Sequence, residues 1–497
     1  MYKNIETKLV HFIYFFSLLF IYSSNIPTFF FTIKKLSLLI VGVCLIYFLY
    51  KMLLNTKKQI LIIKENKTIL LILFIFFILY NVGPLNFENL SKFITNTNLT
   101  ESISGKQSCK NLPSFICKSW SIFYFIYLLL IFFIFKNFKN INFSKVFINS
   151  SIIFSFIGIV YFLFILILSQ IDFKLYSDIQ HLLSFGQETV RVFPHFSVTY
   201  TPSSRNYEIF PIIIGKLFLI YEIYLNKTKV KNYFYLCLLS IFIFYSYSRL
   251  MWLMDGAMLL GIFFSVTNKM KILRIIFINI MIIIFSLGFF TYIYNYSKLL
   301  KWDTRSNIRT HITYYTLGKV STLVSKDLEN FFYLKNYKIW HYYTSAENMK
   351  LLNDKNFQFN NDEEKKKFFE DNVKEVLTFN MNSNMERKQI YKQAIEKLFL
   401  KPEGYGFGKI PIRGSNVESG ILQIALEIGV IGVIVFLIIL FYPIRLFVRT
   451  ENLNNNFFII FMILIIISQT LTVYIWYNFF WFYLGFIISN LPVKKLT

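Results

Sequence analysis

The strongest constraint on this chain is a succession of apolar runs, each close to the thickness of a bilayer. They fall at roughly 9–24, 36–53, 68–82, 120–136, 147–169, 207–225, 232–248, 250–267, 272–295, 419–444, 456–472 and 474–491. About 20 apolar residues in a helix cross the hydrocarbon core of a membrane. A helix satisfies its own backbone hydrogen bonds, which lipid cannot do. The chain is therefore expected to be all-α: a polytopic membrane protein of about twelve transmembrane helices.

Composition agrees. Hydrophobic residues make up 55% and aromatics 20% of the chain, and the mean hydropathy is +0.51. Such values lie beyond a soluble globular domain. The formal charge of +25 invites a nucleic-acid reading, but the basic residues sit in short links between apolar runs. Lys51, Lys57, Lys58, Lys64 and Lys67 follow the second run. Lys136, Lys139 and Lys145 follow the fourth, and Lys227, Lys229 and Lys231 the sixth. Lys269, Lys271 and Arg274 follow the eighth, Arg445 and Arg449 the tenth, and Lys494 and Lys495 the last. Basic links face the cytoplasm. Both termini are therefore expected inside, and no nucleic-acid partner is expected.

The long segments then face outside. Residues 1–296 are expected as an N-terminal membrane bundle of nine spans, and 297–417 as a large, mostly helical extracytoplasmic loop domain. Residues 418–497 would hold spans ten to twelve. Within the loop, 362–377 reads as a solvated helix. In 386–400, Ile390, Ala394, Ile395, Leu398 and Phe399 share one side, so that helix should lie on something apolar.

Soluble-enzyme signatures are missing: there is no Gly-rich phosphate loop, no HExxH and no CxxC pair. Five histidines in the whole chain argue against a His-based metal site, and neither metal nor cofactor is expected. What remains is a set of charges at the outer face. Arg249, in YSYSRLMWL, sits between spans seven and eight with almost no loop around it. An arginine there breaks the basic-inside pattern, and ionisable residues at membrane depth are functional candidates. Arg205 precedes span six, with Arg191 further back in the same loop. Arg387 opens the apolar-faced helix, which runs into the flexible Gly turn Lys401–Pro402–Glu403–Gly404–Tyr405–Gly406–Phe407–Gly408. Arg413 and Glu418 follow. Guanidinium groups bind diphosphate as a bidentate fork and stay charged at any working pH. A carboxylate beside them can act as a general base.

The stretch NVESGILQIALEIGVIG, 416–432, carries Glu418 at the entry to an apolar helix. At 100° per residue, Leu422, Ala425, Gly429 and Gly432 lie within about 40° of Glu418. This small-residue stripe is expected to admit a neighbouring membrane helix closely. Glu427 falls on the opposite side, as a buried structural contact. Asp255 also falls inside a run.

Three of these places, in order, resemble the O-antigen ligase and polymerase superfamily of membrane glycosyltransferases. Ser246–Tyr247–Ser248–Arg249 is similar to the family's Ser-Arg at the end of a span. Arg387 followed by IYKQAIEKLFLKPEGYGFG is similar to its Arg, helix and Pro/Gly-rich turn. Glu418–Ser419, nine residues, then Gly429–Val430–Ile431–Gly432 matches the ligase motif in spacing, with Glu418 where the ligases have His. The ending FFWFYLGF is also similar. The likeness covers about 200–490.

The resemblance implies a polysaccharide repeat-unit polymerase in a bacterial cytoplasmic membrane, its active site facing the periplasm. Its donor and acceptor would be polyprenyl-diphosphate-linked oligosaccharides, with the lipid bilayer, a chain-length regulator and a flippase as further partners. Glu418, Arg249 and Arg387 would be catalytic. Arg205, Arg191, Arg413, Tyr405 and Ser419 would bind substrate. The Glu in place of His favours the polymerase over an O-antigen ligase that transfers glycan to lipid A-core. A flippase or small-solute transporter is the reading from another class, though no duplicated halves are visible.

Overall fold

A computed structural model of the chain describes residues 3–22, 29–82, 114–171, 205–225, 230–245, 249–296, 389–405, 417, 419–449, 453–471 and 478–492. The helices are α1 (Lys3–Tyr22), α2 (Phe29–Leu53), α3 (Thr56–Glu65), α4 (Lys67–Val82), α5 (Ser114–Asn137), α6 (Phe143–Ile171) and α7 (Arg205–Tyr224). They continue with α8 (Val230–Tyr245), α9 (Arg249–Ser265), α10 (Lys269–Tyr296), α11 (389–400), α12 (Gly420–Val448), α13 (Leu453–Leu471) and α14 (Asn478–Ser489). No strand occurs among the described residues. The all-α class follows directly from the apolar runs, and each of the twelve carries a helix.

Crossing length is a stricter matter. Among the described residues, two helices are long and apolar enough to span a membrane: Phe143–Val160 of α6, and Gly420–Val448. A third is reached if Leu39–Leu53 and Thr56–Glu65 count as one span, although they are bent by 95°. Six further apolar helices are shorter. The 12 residues of α14 reach only about 18 Å at the helical rise, against about 30 Å of hydrocarbon. Of the expected outer loop, 297–388 lies outside the described residues, and so does the expected solvated helix at 362–377.

The chain forms two compact units. One comprises residues 1–150, 253–272 and 386–497, and the other 151–252 and 273–385. In the first, α14 is apolar on every side and packs against α5 and α1. A helix of that kind must be enclosed by others. Trp481 lies 5.2 Å from Phe77 and stacks on Tyr124 at 6.0 Å. Gly485 lets the helix close on α5, because a Cβ there would stand 2.8 Å from the Leu128 carbonyl oxygen. Two hydroxyl contacts tie the helices further: Tyr14 to Tyr483 at 2.5 Å and Ser17 to Tyr127 at 2.8 Å. Beside them α12 packs on α4 and α13, through Phe76–Phe436 at 5.5 Å and the stacked pair Phe447–Phe458 at 5.2 Å.

In the second unit α7 packs on α8. Ser151 of α6 donates to the carbonyl of Pro211 within α7 at 3.0 Å. The ring of Phe242 fills the space over Gly158, and Ser240 donates to the Asn279 side-chain oxygen.

Candidate functional site

α12 is not one continuous helix. Gly429 has φ 74° and ψ −175°, which breaks it into two lengths. The turn that follows α11 occupies this break. The residues Lys401–Pro402–Glu403–Gly404 form a β-turn, closed by the Gly404 N–H on the Lys401 carbonyl at 3.0 Å. Pro and Gly stand where such turns favour them. Tyr405 N–H then donates to the Leu426 carbonyl at 2.7 Å, and Val430 N–H to the Pro402 carbonyl at 2.9 Å. A broken helix leaves backbone groups without intrahelical partners. Here the turn supplies them.

The two glycines are what allow this approach. Gly404 has φ 93°. A Cβ on Gly404 would stand 2.5 Å from the Gly429 nitrogen, and one on Gly429 would stand 2.5 Å from the Pro402 oxygen. Both conformations also lie where only glycine is unstrained. The close approach expected at the small-residue stripe is therefore real at Gly429, but the visitor is a turn and not a membrane helix. The wheel assumed an unbroken helix, and it fails at its own glycine. Gly432 faces the side chain of Ile428 in its own helix.

The amphipathic helix of the outer loop is α11, and part of its apolar side lies on something apolar, whereas Ile395 and Phe399, expected on the same side, are exposed. Ala394 is buried with Val417 and Leu426, and Ile390, Tyr391, Leu398, Tyr405 and Leu422 pack around them. Tyr405, expected to bind substrate, fastens the turn: its hydroxyl donates to the Lys397 carbonyl at 2.9 Å, and the Lys401 ammonium lies over its ring at 5.4 Å. Ser419 is buried and caps α12, its hydroxyl accepting from Leu422 N–H at 3.4 Å. One helical turn on, the Gln423 amide donates to the Glu427 carboxylate at 2.6 Å, and Glu427 is fully buried. It is a structural contact beside the break.

The arginines divide between backbone that is described and residues that are not. Arg249 is the first residue of α9 and Arg205 the first of α7, both in the second unit. The described part of α8 ends at Tyr245 and α9 begins at Arg249, and Trp252 ties the two helices together. The indole N–H donates to the Phe244 carbonyl at 2.9 Å and approaches the Ile243 carbonyl at 3.3 Å, while its ring stacks on Phe244 at 5.4 Å. Arg191, Arg387, Arg413 and Glu418 lie outside the described residues. Arg387 precedes α11 by two residues, and Glu418 falls between Val417 and Ser419, both buried.

Two features escaped the reading of the sequence. Gly404 was seen only as a flexible turn. Lys216 is fully buried in the apolar middle of α7; its signal was a single lysine inside an apolar run. No group of three or more His, Cys, Asp or Glu that could hold a metal occurs among the described residues. The chain matches no protein-family model, no curated protein and no solved structure.

Proposed function

We propose that this protein is a polysaccharide repeat-unit polymerase, with twelve membrane crossings, both termini in the cytoplasm and its active site at the periplasmic face. An acceptor sugar hydroxyl attacks the anomeric carbon of a polyprenyl-diphosphate-linked donor. The new glycosidic bond forms as the bond to the diphosphate breaks, and polyprenyl diphosphate leaves with the electron pair. Glu418 takes the hydroxyl proton. Arg249, Arg387 and Arg205 hold the diphosphate and stabilise its growing charge. Arg191, Arg413 and Ser419 complete the substrate contacts.

The observation that carries this reading is the coincidence of the motif with the break. The glycine that ends the Glu418–Ser419–x9–Gly spacing is the one at which α12 breaks, and the Pro/Gly turn after Arg387 is the one that enters the break. The two motifs thus meet through backbone hydrogen bonds, so the helices that follow Arg387 and Glu418 share one core. A second support is electrostatic. Arg205 and Arg249 each open a helix, where the dipole disfavours a cation and favours an anion. A diphosphate at such a place would gain from both the guanidinium and the helix end.

The test is glycan length on a gel. The gene is deleted in its own host and restored with wild type, Arg249→Ala or Glu418→Gln at matched membrane levels. Single repeats on the lipid, rescued to full length only by wild type, are expected. Undecorated lipid with long polymer left on its carrier would make the protein a ligase. An unchanged ladder after deletion, with no redundant enzyme, would end the glycosyltransferase reading.

A further inference from the structure

The basic link after α2 is not a loop. It folds as α3, which leaves α2 at 95°. Asn55 caps its start, accepting from Lys58 N–H at 3.4 Å. One face of α3 is fixed to the end of α5. Gln59 and Asn137 exchange amide hydrogen bonds of 3.0 and 2.8 Å, Lys58 donates to the Asn137 carbonyl at 3.1 Å, and Ile62 is buried.

The opposite face carries Lys57, Ile60, Leu61 and Lys64, at positions i, i+3, i+4 and i+7 of one helical side. All four are exposed; Ile60 is 53% and Leu61 57% accessible, and Leu53 and Leu54 just before are more so. Water would leave these aliphatic groups solvated, and a hydrocarbon interior would strand two ammonium groups. The boundary between them suits both, since lysine stems lie along apolar surface while their heads reach the phosphates. Charge selects the lipid. Between Lys51 and Lys67 there are five lysines and one acidic residue, Glu65, and Lys139 is exposed just beyond α5. Clustered lysines beside a membrane helix attract anionic headgroups.

We propose that α3 lies in the plane of the membrane and binds anionic phospholipid headgroups through Lys57 and Lys64, with Ile60 and Leu61 in the acyl boundary. The proposal rests on the membrane reading of the chain and not on the reaction assigned to it.

The test uses the full chain, purified in an uncharged detergent and stripped of lipid. Phosphatidylglycerol and phosphatidylcholine are titrated separately, and bound lipid is counted by native mass spectrometry. Tighter binding of phosphatidylglycerol is expected. Lys57→Gln/Lys64→Gln should weaken it roughly tenfold or more, without weakening phosphatidylcholine or shifting thermal unfolding. Lys392→Gln/Lys397→Gln removes the same charge from α11 and should leave binding unchanged. Equal affinity for both lipids, or equal loss in both double variants, would overturn the proposal. A photo-crosslinking residue at position 61, activated in native membranes, should give a lipid adduct. A protein adduct there, from a second copy or another partner, would also overturn it.

Discussion

Gly404 and Gly429 are in mutual contact through backbone alone: a Cβ on Gly404 would stand 2.5 Å from the nitrogen of Gly429, and both residues have positive φ. Two segments that share no regular element are thereby fastened. The turn after α11 becomes part of α12, and the helix is held at its break.

Gly429→Ala should open this fastening. A non-glycine residue in such a conformation costs about 1–3 kcal/mol, and the backbone clash adds to it. Thermal unfolding in detergent should fall, and cleavage after Glu403 by a glutamyl endopeptidase should accelerate. On the function proposed here, polymer length should fall too. Gly432→Ala should be milder, because its added methyl meets only the Ile428 side chain of its own helix, with no foreign backbone and no positive φ. Equal effects from the two substitutions would contradict the clasp.

Ser419→Ala removes the cap of α12. The expected loss is about 0.5–1 kcal/mol, the low end for caps given the 3.4 Å contact. Ser419→Asp should restore the lost stability, as read by thermal unfolding. Restoration of stability without restoration of polymer would separate the cap from a substrate contact.

Glu427→Leu leaves the buried Gln423 amide without this acceptor. Stranding such a group costs roughly 1–3 kcal/mol. Replacing both residues, as Gln423→Leu/Glu427→Leu, should recover part of that loss. A double variant less stable than the sum of the single losses would show that Glu427 acts chiefly through another partner.

Tyr14→Phe and Tyr483→Phe each delete one hydroxyl of a buried pair joining α1 to α14. Each should cost about 1 kcal/mol. In a double-mutant cycle the combined loss should be smaller than the sum, because the second deletion removes an already stranded group. Additive losses would mean that the hydroxyls are not coupled.

Trp252→Phe keeps a ring to stack on Phe244 but removes the N–H that ties α9 back to α8. A stability loss of about 1 kcal/mol is expected. On the function proposed here, and because Arg249 opens the same helix, polymer length should drop further than the stability loss explains. Trp252→Phe with normal polymer would free Arg249 from dependence on this contact.

Much of the architecture was legible in the chain. A near-absent loop was visible between the runs of α8 and α9, and Trp252 of α9 does reach back to the Phe244 carbonyl near the end of α8. The apolar side of α11 was visible in the spacing of Ile390, Ala394, Ile395, Leu398 and Phe399; the first, second and fourth pack, while Ile395 and Phe399 are exposed, because the core meets only one edge of that side. The link after α2 was visible as basic but not as a helix, since its lysines drew attention to topology and away from the Asn55 cap. The candidate site was legible as motifs in order. That the turn after Arg387 enters the break in the helix after Glu418 was not, because backbone hydrogen bonds between separate segments have no local spacing to announce them.

The sequence by itself determined that the described residues are helical and where the helices of the twelve apolar runs lie. Hydropathy is a local property, and an apolar run in lipid has to satisfy its own backbone. Only the tertiary structure decided that α12 breaks at Gly429, that α3 turns from α2 by 95°, and that α14 is enclosed by α1 and α5. A glycine permits positive φ without requiring it. The requirement comes from Pro402 and Tyr405, more than twenty residues earlier in the chain, whose hydrogen bonds exist only once the two segments meet.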